Sequence, residues 1–323
     1  MPVSPVLPLD RRHVRVCLGL LWLLDAALQA QPHLFTADWY RNDLVQSVMG
    51  QPSAINRSIY WVVDLITPHA AAWNAAFVVI QAALGLALVL GRFEKAAIVA
   101  SIPWALGVWW VGEGFGTLPA GFALLAAGSP GPAVYYPLLG VLAWPRSPMD
   151  GPRGRCHRES GIRWRTGGAA WVVLWAGQAL LHVPWRLPPG RVLAANIAEL
   201  SLGEPAWLLA VAHRLESVAQ AHGVALTVTL AAVEVAVGLG VLAGRTRRWA
   251  LGAGVGLSLV FWVTVQYFGG VLAGNASDPG AAPLMILLAA ALWPPARAGG
   301  YRSTRSPSGA PLSTSIVTVA PSL

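Results

Sequence analysis

Eight apolar stretches decide which folds this chain can adopt. They cover 14–30, 70–91, 96–111, 133–144, 167–183, 224–243, 249–265 and 281–293. The hydrocarbon core of a bilayer is about 30 Å thick, and a helix needs about 20 residues to cross it. Two stretches, 70–91 and 224–243, reach that length easily, whereas 133–144 and 281–293 are short. Because only 11% of the residues are charged, against about 25% in soluble domains, the sequence predicts an all-α polytopic membrane protein with about eight spans.

The positive charges predict the orientation of these spans. Of the 22 Lys and Arg residues, 17 lie near the N-terminus, at 92–95, 146–165 and 245–248, and in the tail. The other five lie in the alternate loops, which is the pattern of the positive-inside rule. The basic residues behind the net charge of +8 are therefore explained by membrane topology, and no nucleic-acid partner is expected. Arg outnumbers Lys 21 to 1, which is typical of a GC-rich bacterium. We expect a multi-pass protein of a bacterial plasma membrane with both termini in the cytoplasm.

The two halves of the chain resemble one another over nearly their whole length. Trp109 recurs as Trp262, an offset of 153 that holds without a gap for almost a hundred positions. Other pairs at this offset are Leu21-Trp22 with Leu174-Trp175, Gly91-Arg92 with Gly244-Arg245, and Phe115-Gly116 with Phe268-Gly269. After a four-residue deletion, Pro130-Gly131 matches Pro279-Gly280. Such self-similarity predicts a tandem duplication.

The repeat sets the predicted domain boundaries. We expect a first four-helix membrane unit at 1–145, a cytoplasmic Arg-rich linker at 146–166, a second four-helix unit at 167–296 and a disordered cytoplasmic tail at 297–323. Four spans per unit would give two parallel bundles in the same orientation. Apolar residues also recur at helical spacing in 55–66 and 208–218, outside the spans. These segments predict amphipathic helices at the outer membrane interface.

Polar residues inside the predicted spans are the first candidates for a functional site, because a charge at the bilayer centre is costly. In three repeat pairs a carboxylate in one copy matches a glutamine amide in the other: Asp25 with Gln178, Glu234 with Gln81, and Glu113 with Gln266. Gln29 similarly matches His182. We interpret Asp25, Glu113 and Glu234 as candidate catalytic or proton-handling groups that converge between the units, and the others as candidate ligand-binding residues. The alternative is that all of them are interhelical hydrogen-bond partners, a role that an amide fills as well as an acid.

Aromatic residues close the third and seventh spans. Trp109 and Phe115, and Phe268 in the second unit, precede Gly/Pro-rich loops. They predict an aromatic-rimmed external ligand pocket, although a helix C-cap followed by a turn accounts for the pattern equally well. The histidines show no metal-ligand spacing, and no nucleotide-binding or hydrolase motif is present.

The opening span resembles that of the DoxX-like membrane proteins, which include the DoxD subunit of thiosulfate:quinone oxidoreductase and the MauE proteins. The resemblance is carried by Arg15, Leu18-Gly19-Leu20-Leu21-Trp22, Asp25, Leu28-Gln29, Pro32 and Phe35. It covers each four-helix unit and implies a membrane subunit of quinone-linked redox metabolism, with a quinone cofactor and a soluble or membrane redox partner. A proton-coupled or small-solute transporter and a non-catalytic membrane scaffold stay open beside it, so the sequence does not decide whether the chain is an enzyme.

Overall fold

The computed structural model describes residues 9–145, 164–182 and 189–294, and within these residues the chain is all-α, with no strand. The helices are α1 (Arg11–Gln29), α2 (Ser53–Ile66), α3 (Ala70–Leu90), α4 (Glu94–Val111), α5 (Tyr135–Ala143), α6 (164–182), α7 (Pro189–Leu200), α8 (Ala206–Gly240), α9 (Arg247–Thr264) and α10 (Ala281–Leu292). Most of the predicted linker, the whole predicted tail and the segment 183–188 lie outside the described residues.

Three helical stretches among the described residues are long and apolar enough to cross a membrane: Ser53–Leu90, Ala206–Gly240 and Arg247–Ala273. Each exposes large apolar side chains, such as Trp61, Val228 and Val260, which a bilayer would cover. The chain is therefore a helical membrane protein. The predicted count of eight spans stays a prediction, because α5 has nine residues and α10 has 12. At 1.5 Å per residue these helices rise only about 14 and 18 Å.

The first two long stretches have a break at matching positions. His69 separates α2 from α3 with φ −129° and ψ 36°, and His222 interrupts α8 with φ −125° and ψ 22°. The predicted amphipathic segment 55–66 is the separate helix α2, which buries Ile59, Val63 and Ile66. The segment 208–218 is instead the first part of α8.

Close helix contacts hold each half together. The backbones of α1 and α3 approach so closely that a Cβ on Gly85 would lie 2.8 Å from the carbonyl oxygen of Gly19. In the second half, a Cβ on Gly238 of α8 would lie 2.6 Å from the backbone nitrogen of Ala176 in α6. Small residues at helix crossings are the usual means of close packing in membranes.

The short helices α5 and α10 lie in the common core. Nine of the 12 residues of α10 are buried, and α10 contacts both α5 and α1. A helix that is apolar on all sides must be surrounded by protein or lipid. Here protein surrounds it, so α5 and α10 join the two halves.

Candidate functional site

A cavity of about 800 Å³ opens between the helices of the first half and is covered in part by a loop of the second half. Five carboxyl groups line it, and three of them are central to the site: Asp25 on α1, Glu113 just after α4, and Asp278 in the loop before α10. We call it the carboxyl cavity. Its volume lies in the range of small-molecule sites, about 300–1,000 Å³.

Asp25 is held by a tyrosine at the bottom of this cavity. The hydroxyl of Tyr136 on α5 donates a hydrogen bond to Oδ2 of Asp25, and the ring of Tyr136 packs against Trp22 at 4.1 Å between centroids. The other carboxyl oxygen, Oδ1, has no hydrogen-bond partner although Asp25 is only 3% exposed. One oxygen is therefore fixed by the fold, and the other is left for a ligand or a proton.

Glu113 is positioned by the start of the last helix of its half. Its Oε1 accepts a hydrogen bond of 2.9 Å from the backbone N–H of Ala133, and its Oε2 has no partner. A negative charge at a helix N-terminus is favourable because of the helix dipole. Gln266 makes the matching bond in the second half, where its Oε1 accepts from the N–H of Ala282 at 3.2 Å. The amide thus fills the same structural role, and only the free oxygen of Glu113 distinguishes the acid.

Two phenylalanines that follow Glu113 and Gln266 by two residues adopt a left-handed backbone. Phe115 and Phe268 both have φ of 58°, which bulky residues rarely adopt. Each ring meets an indole edge to face, Trp109 at 5.0 Å and Trp262 at 5.1 Å. Each indole N–H donates to a proline carbonyl, of Pro130 at 2.6 Å and of Pro279 at 2.7 Å. We call 112–117 and 265–270 the break segments. Backbone strain of this kind persists only where the surroundings enforce it.

The structure gathers five of the predicted site residues around the carboxyl cavity: Asp25, Gln29, Gln81, Glu113 and Gln266. The predicted aromatic residues Trp109, Phe115 and Phe268 do not line it and instead brace the break segments. Gln178 also lies outside the lining, and its amide is 3.4 Å from the hydroxyl of Ser129. The amide of Gln266 donates to the carbonyl of Ala126 at 3.3 Å. These two glutamines connect the halves.

Glu234 does not join the other two carboxyls that the sequence singled out. It lies on α8, fully buried, with Oε2 at 2.9 Å from Nε2 of His182 on α6. Neither residue lines the carboxyl cavity. Of the three acids that were expected to converge, Asp25 and Glu113 line the same cavity, and Glu234 does not.

The cavity contains acidic residues that the sequence analysis missed. Asp278 sits in an Asp-Pro-Gly sequence, which is typical of a turn, so nothing in the sequence marked it as a site residue. Burial raises the pKa of Asp278, against the lowering effect of hydrogen bonds from the Gly280 N–H and the Ser277 hydroxyl. Burial likewise raises the pKa of Glu199, at the end of α7. Comparing the two halves of the sequence could not identify either residue, because neither Asp278 nor Glu199 lies in a predicted apolar span.

The buried pair in the second half gives a stability prediction. Replacing Glu234 by Ala leaves the buried Nε2 of His182 without its acceptor, so we expect a loss of about 1–3 kcal/mol in the free energy of unfolding. The control is Glu234→Gln, whose Oε1 accepts the same hydrogen bond and which we expect to lose less. The measurement is denaturant-induced unfolding in detergent. Equal stability of the two variants would show that the imidazole does not depend on this acceptor.

Comparison of the chain with protein-family models, with curated proteins and with solved structures finds no match. The resemblance to the DoxX-like proteins therefore stays an expectation.

Proposed function

We propose that this chain is a multi-pass carrier in a bacterial plasma membrane, with both termini in the cytoplasm, that binds one small amphipathic solute in the carboxyl cavity. The single observation behind the proposal is the cavity itself. It combines buried carboxyl oxygens without partners with an aromatic and aliphatic lining that includes Trp22, Phe77 and Trp104. A solute with one polar end and an apolar body suits both sides of such a site.

The break segments favour a carrier over a purely structural protein. Transporters often bind their solute where helices are interrupted at corresponding positions of two repeats. Gly112 and Glu113 in the first half and Gly269 and Gly270 in the second line the cavity, so both interruptions face the same space.

A tandem duplication of the four-helix unit is part of the proposal. It is supported by contacts that recur in the two halves at the offsets found in the sequence. The Trp–Pro hydrogen bonds, the left-handed Phe residues and the His breaks in the long helices all occur in matched pairs. Two parallel units of this kind could rock against each other about α5 and α10.

Native mass spectrometry of the protein extracted in mild detergent tests the function. We expect one small molecule bound per chain, because a cavity of this size is not filled by protein side chains. The identified molecule should then enter vesicles that contain the protein and not empty vesicles. A chain that carries only phospholipid, and shows no uptake of any compound it was isolated with, would contradict the proposal.

A membrane subunit of quinone-linked redox metabolism is the second candidate, as the DoxX-like resemblance implies. The contact between Tyr136 and Asp25 favours it, because a phenol paired with a carboxyl is suited to exchange protons with the head group of a quinone. A stoichiometric quinone in the same mass spectra, together with a co-purifying redox partner, would establish this candidate in place of the carrier.

A further inference from the structure

The acidic residues of the chain are concentrated at the carboxyl cavity. Five of its 14 Asp and Glu residues line the cavity: Asp25, Asp43, Glu113, Glu199 and Asp278. No Lys, Arg or His is among the lining residues that the structure describes. The carboxylate of Asp43 lies 3.1 Å from the ring of His33, a residue that does not line the cavity. Asp25, Glu113 and Asp278 form no ion pair with any described residue. Buried carboxyls without a cation are either protonated or neutralised by a ligand.

Three acceptor atoms without a donor belong to residues that line this cavity. Asp25 and Gln81 are 3% and 5% exposed, and Oδ1 of Asp25 and Oε1 of Gln81 have no donor. Oε2 of Glu113 is also without a donor. Because buried polar atoms normally find a partner, the bound molecule should bring N–H or O–H donors to these three oxygens.

The aromatic residues that line the cavity form an aromatic wall that suits the apolar part of a ligand. The rings of Phe77 and Trp104 lie 5.3 Å apart and face the cavity with Trp22 and Tyr136. Aromatic side chains offer a large apolar contact area to the body of such a ligand. The indole N–H groups of Trp22, Trp39 and Trp104 have no acceptor, so they can donate a hydrogen bond to an uncharged oxygen of the ligand, such as a hydroxyl or an ether.

We infer that the ligand of the carboxyl cavity is an amphipathic primary or secondary ammonium ion, with its N–H groups on Asp25, Gln81 and Glu113 and its apolar body against the aromatic wall. This inference rests on the proposed function and names the substrate class of that site. The requirement for N–H donors separates such amines from quaternary ammonium ions, which have the charge but cannot donate.

Calorimetric titration of the protein in lipid nanodiscs, with empty nanodiscs as the blank, tests the inference. The probes are 4-phenylbutylamine, its trimethylammonium analogue, 4-phenylbutanol and decylubiquinone. We expect the amine to bind at least tenfold more tightly than the alcohol and the trimethylammonium analogue. Tighter binding of decylubiquinone or of the alcohol would overturn the amine while leaving a ligand-binding cavity in place.

Asp25→Asn sharpens this test, because the amide keeps the shape of the side chain but removes the charge and adds a donor. We expect a loss of at least tenfold in affinity for the amine and no comparable loss for the alcohol. The control is Asp64→Asn, which makes the same change at an exposed position of α2 outside the lining and should leave the affinity unchanged. Thermal unfolding of both variants shows that they are folded.

The outcomes separate the inference from the proposed function. Equal affinity of wild type and Asp25→Asn for the amine would overturn the ammonium site even if the amine binds. If none of the four probes binds, the amine class is also wrong, while the mass of the molecule that co-purifies with the protein decides independently whether the cavity is a binding site.

Discussion

The substitution Gly107→Trp should reduce the amount of solute bound to the purified protein by at least 90%. Gly107 lies on α4 and lines the carboxyl cavity, and a Cβ at this position would have no atom within 4 Å. The indole can therefore enter the cavity without disturbing the helix. Small-molecule sites bury about 70–90% of their ligand, so a ring placed beside Trp104 and Val108 competes directly for the space of the apolar body. Native mass spectrometry gives the occupancy, and calorimetry gives the affinity.

Gly256→Trp is the matched control for this prediction. Gly256 lies within α9, also has nothing within 4 Å of a built Cβ, and does not line the cavity. Both variants replace a helical glycine by the same large residue in open space, so they should differ only in ligand binding. Full occupancy in Gly107→Trp would mean that the solute binds elsewhere, and the carrier proposal would lose its site.

The helices of this protein could be predicted well from the sequence, because apolar runs are a direct physical signal. The run at 70–91 is the helix Ala70–Leu90, and the run at 281–293 is Ala281–Leu292. Whether a helix crosses the membrane was harder to predict. The run at 133–144 looks like part of a span, and its helix has only nine residues, six of which are buried against the rest of the protein. Hydrophobicity does not distinguish contact with lipid from contact with protein.

The candidate site could be predicted only in part, because matching positions in the two halves do not have matching surroundings. Matching positions drew attention to Asp25 and Glu234 equally, since each pairs with a glutamine at the other copy. The structure gives them different surroundings: Tyr136 and the cavity for Asp25, but His182 and a packed interior for Glu234. The residue that an acid contacts in the folded protein cannot be read from its matching position 153 residues away. The same limit hid Asp278, whose loop reaches the cavity of the other half.

The two halves differ at a buried helix position. Position 18 is Leu in α1, and the matching position is Trp171 in α6. The indole of Trp171 is fully buried, donates to the carbonyl of Val237 at 3.0 Å and packs against Trp175 at 5.3 Å between ring centroids. A Cβ on Gly254 would lie 2.5 Å from this indole. The two halves therefore differ in side-chain packing at this position.

Gly116→Ala should be among the most destabilising single-atom changes in the protein, with an expected loss of about 3–5 kcal/mol in the free energy of unfolding. Two effects add. Gly116 has φ of +62°, and the left-handed region costs a residue with a Cβ about 1–2 kcal/mol. A Cβ would also overlap the backbone carbonyl of Pro130. That carbonyl cannot move away freely, because it accepts the hydrogen bond from the indole of Trp109 at 2.6 Å.

Two further variants make this stability prediction specific. Gly269→Ala places a Cβ against the backbone of Pro279 at a φ of +74°, so we expect a loss of similar size from the second break segment. Gly256→Ala adds the same methyl group in a regular helix with nothing near it and should be neutral or stabilising by up to about 1 kcal/mol. Unfolding in detergent, followed by circular dichroism, measures all three. If Gly116→Ala proved as stable as Gly256→Ala, the loop at Pro130 would have to be free to move, and the break segments would not be the rigid frame that holds Glu113 at the cavity.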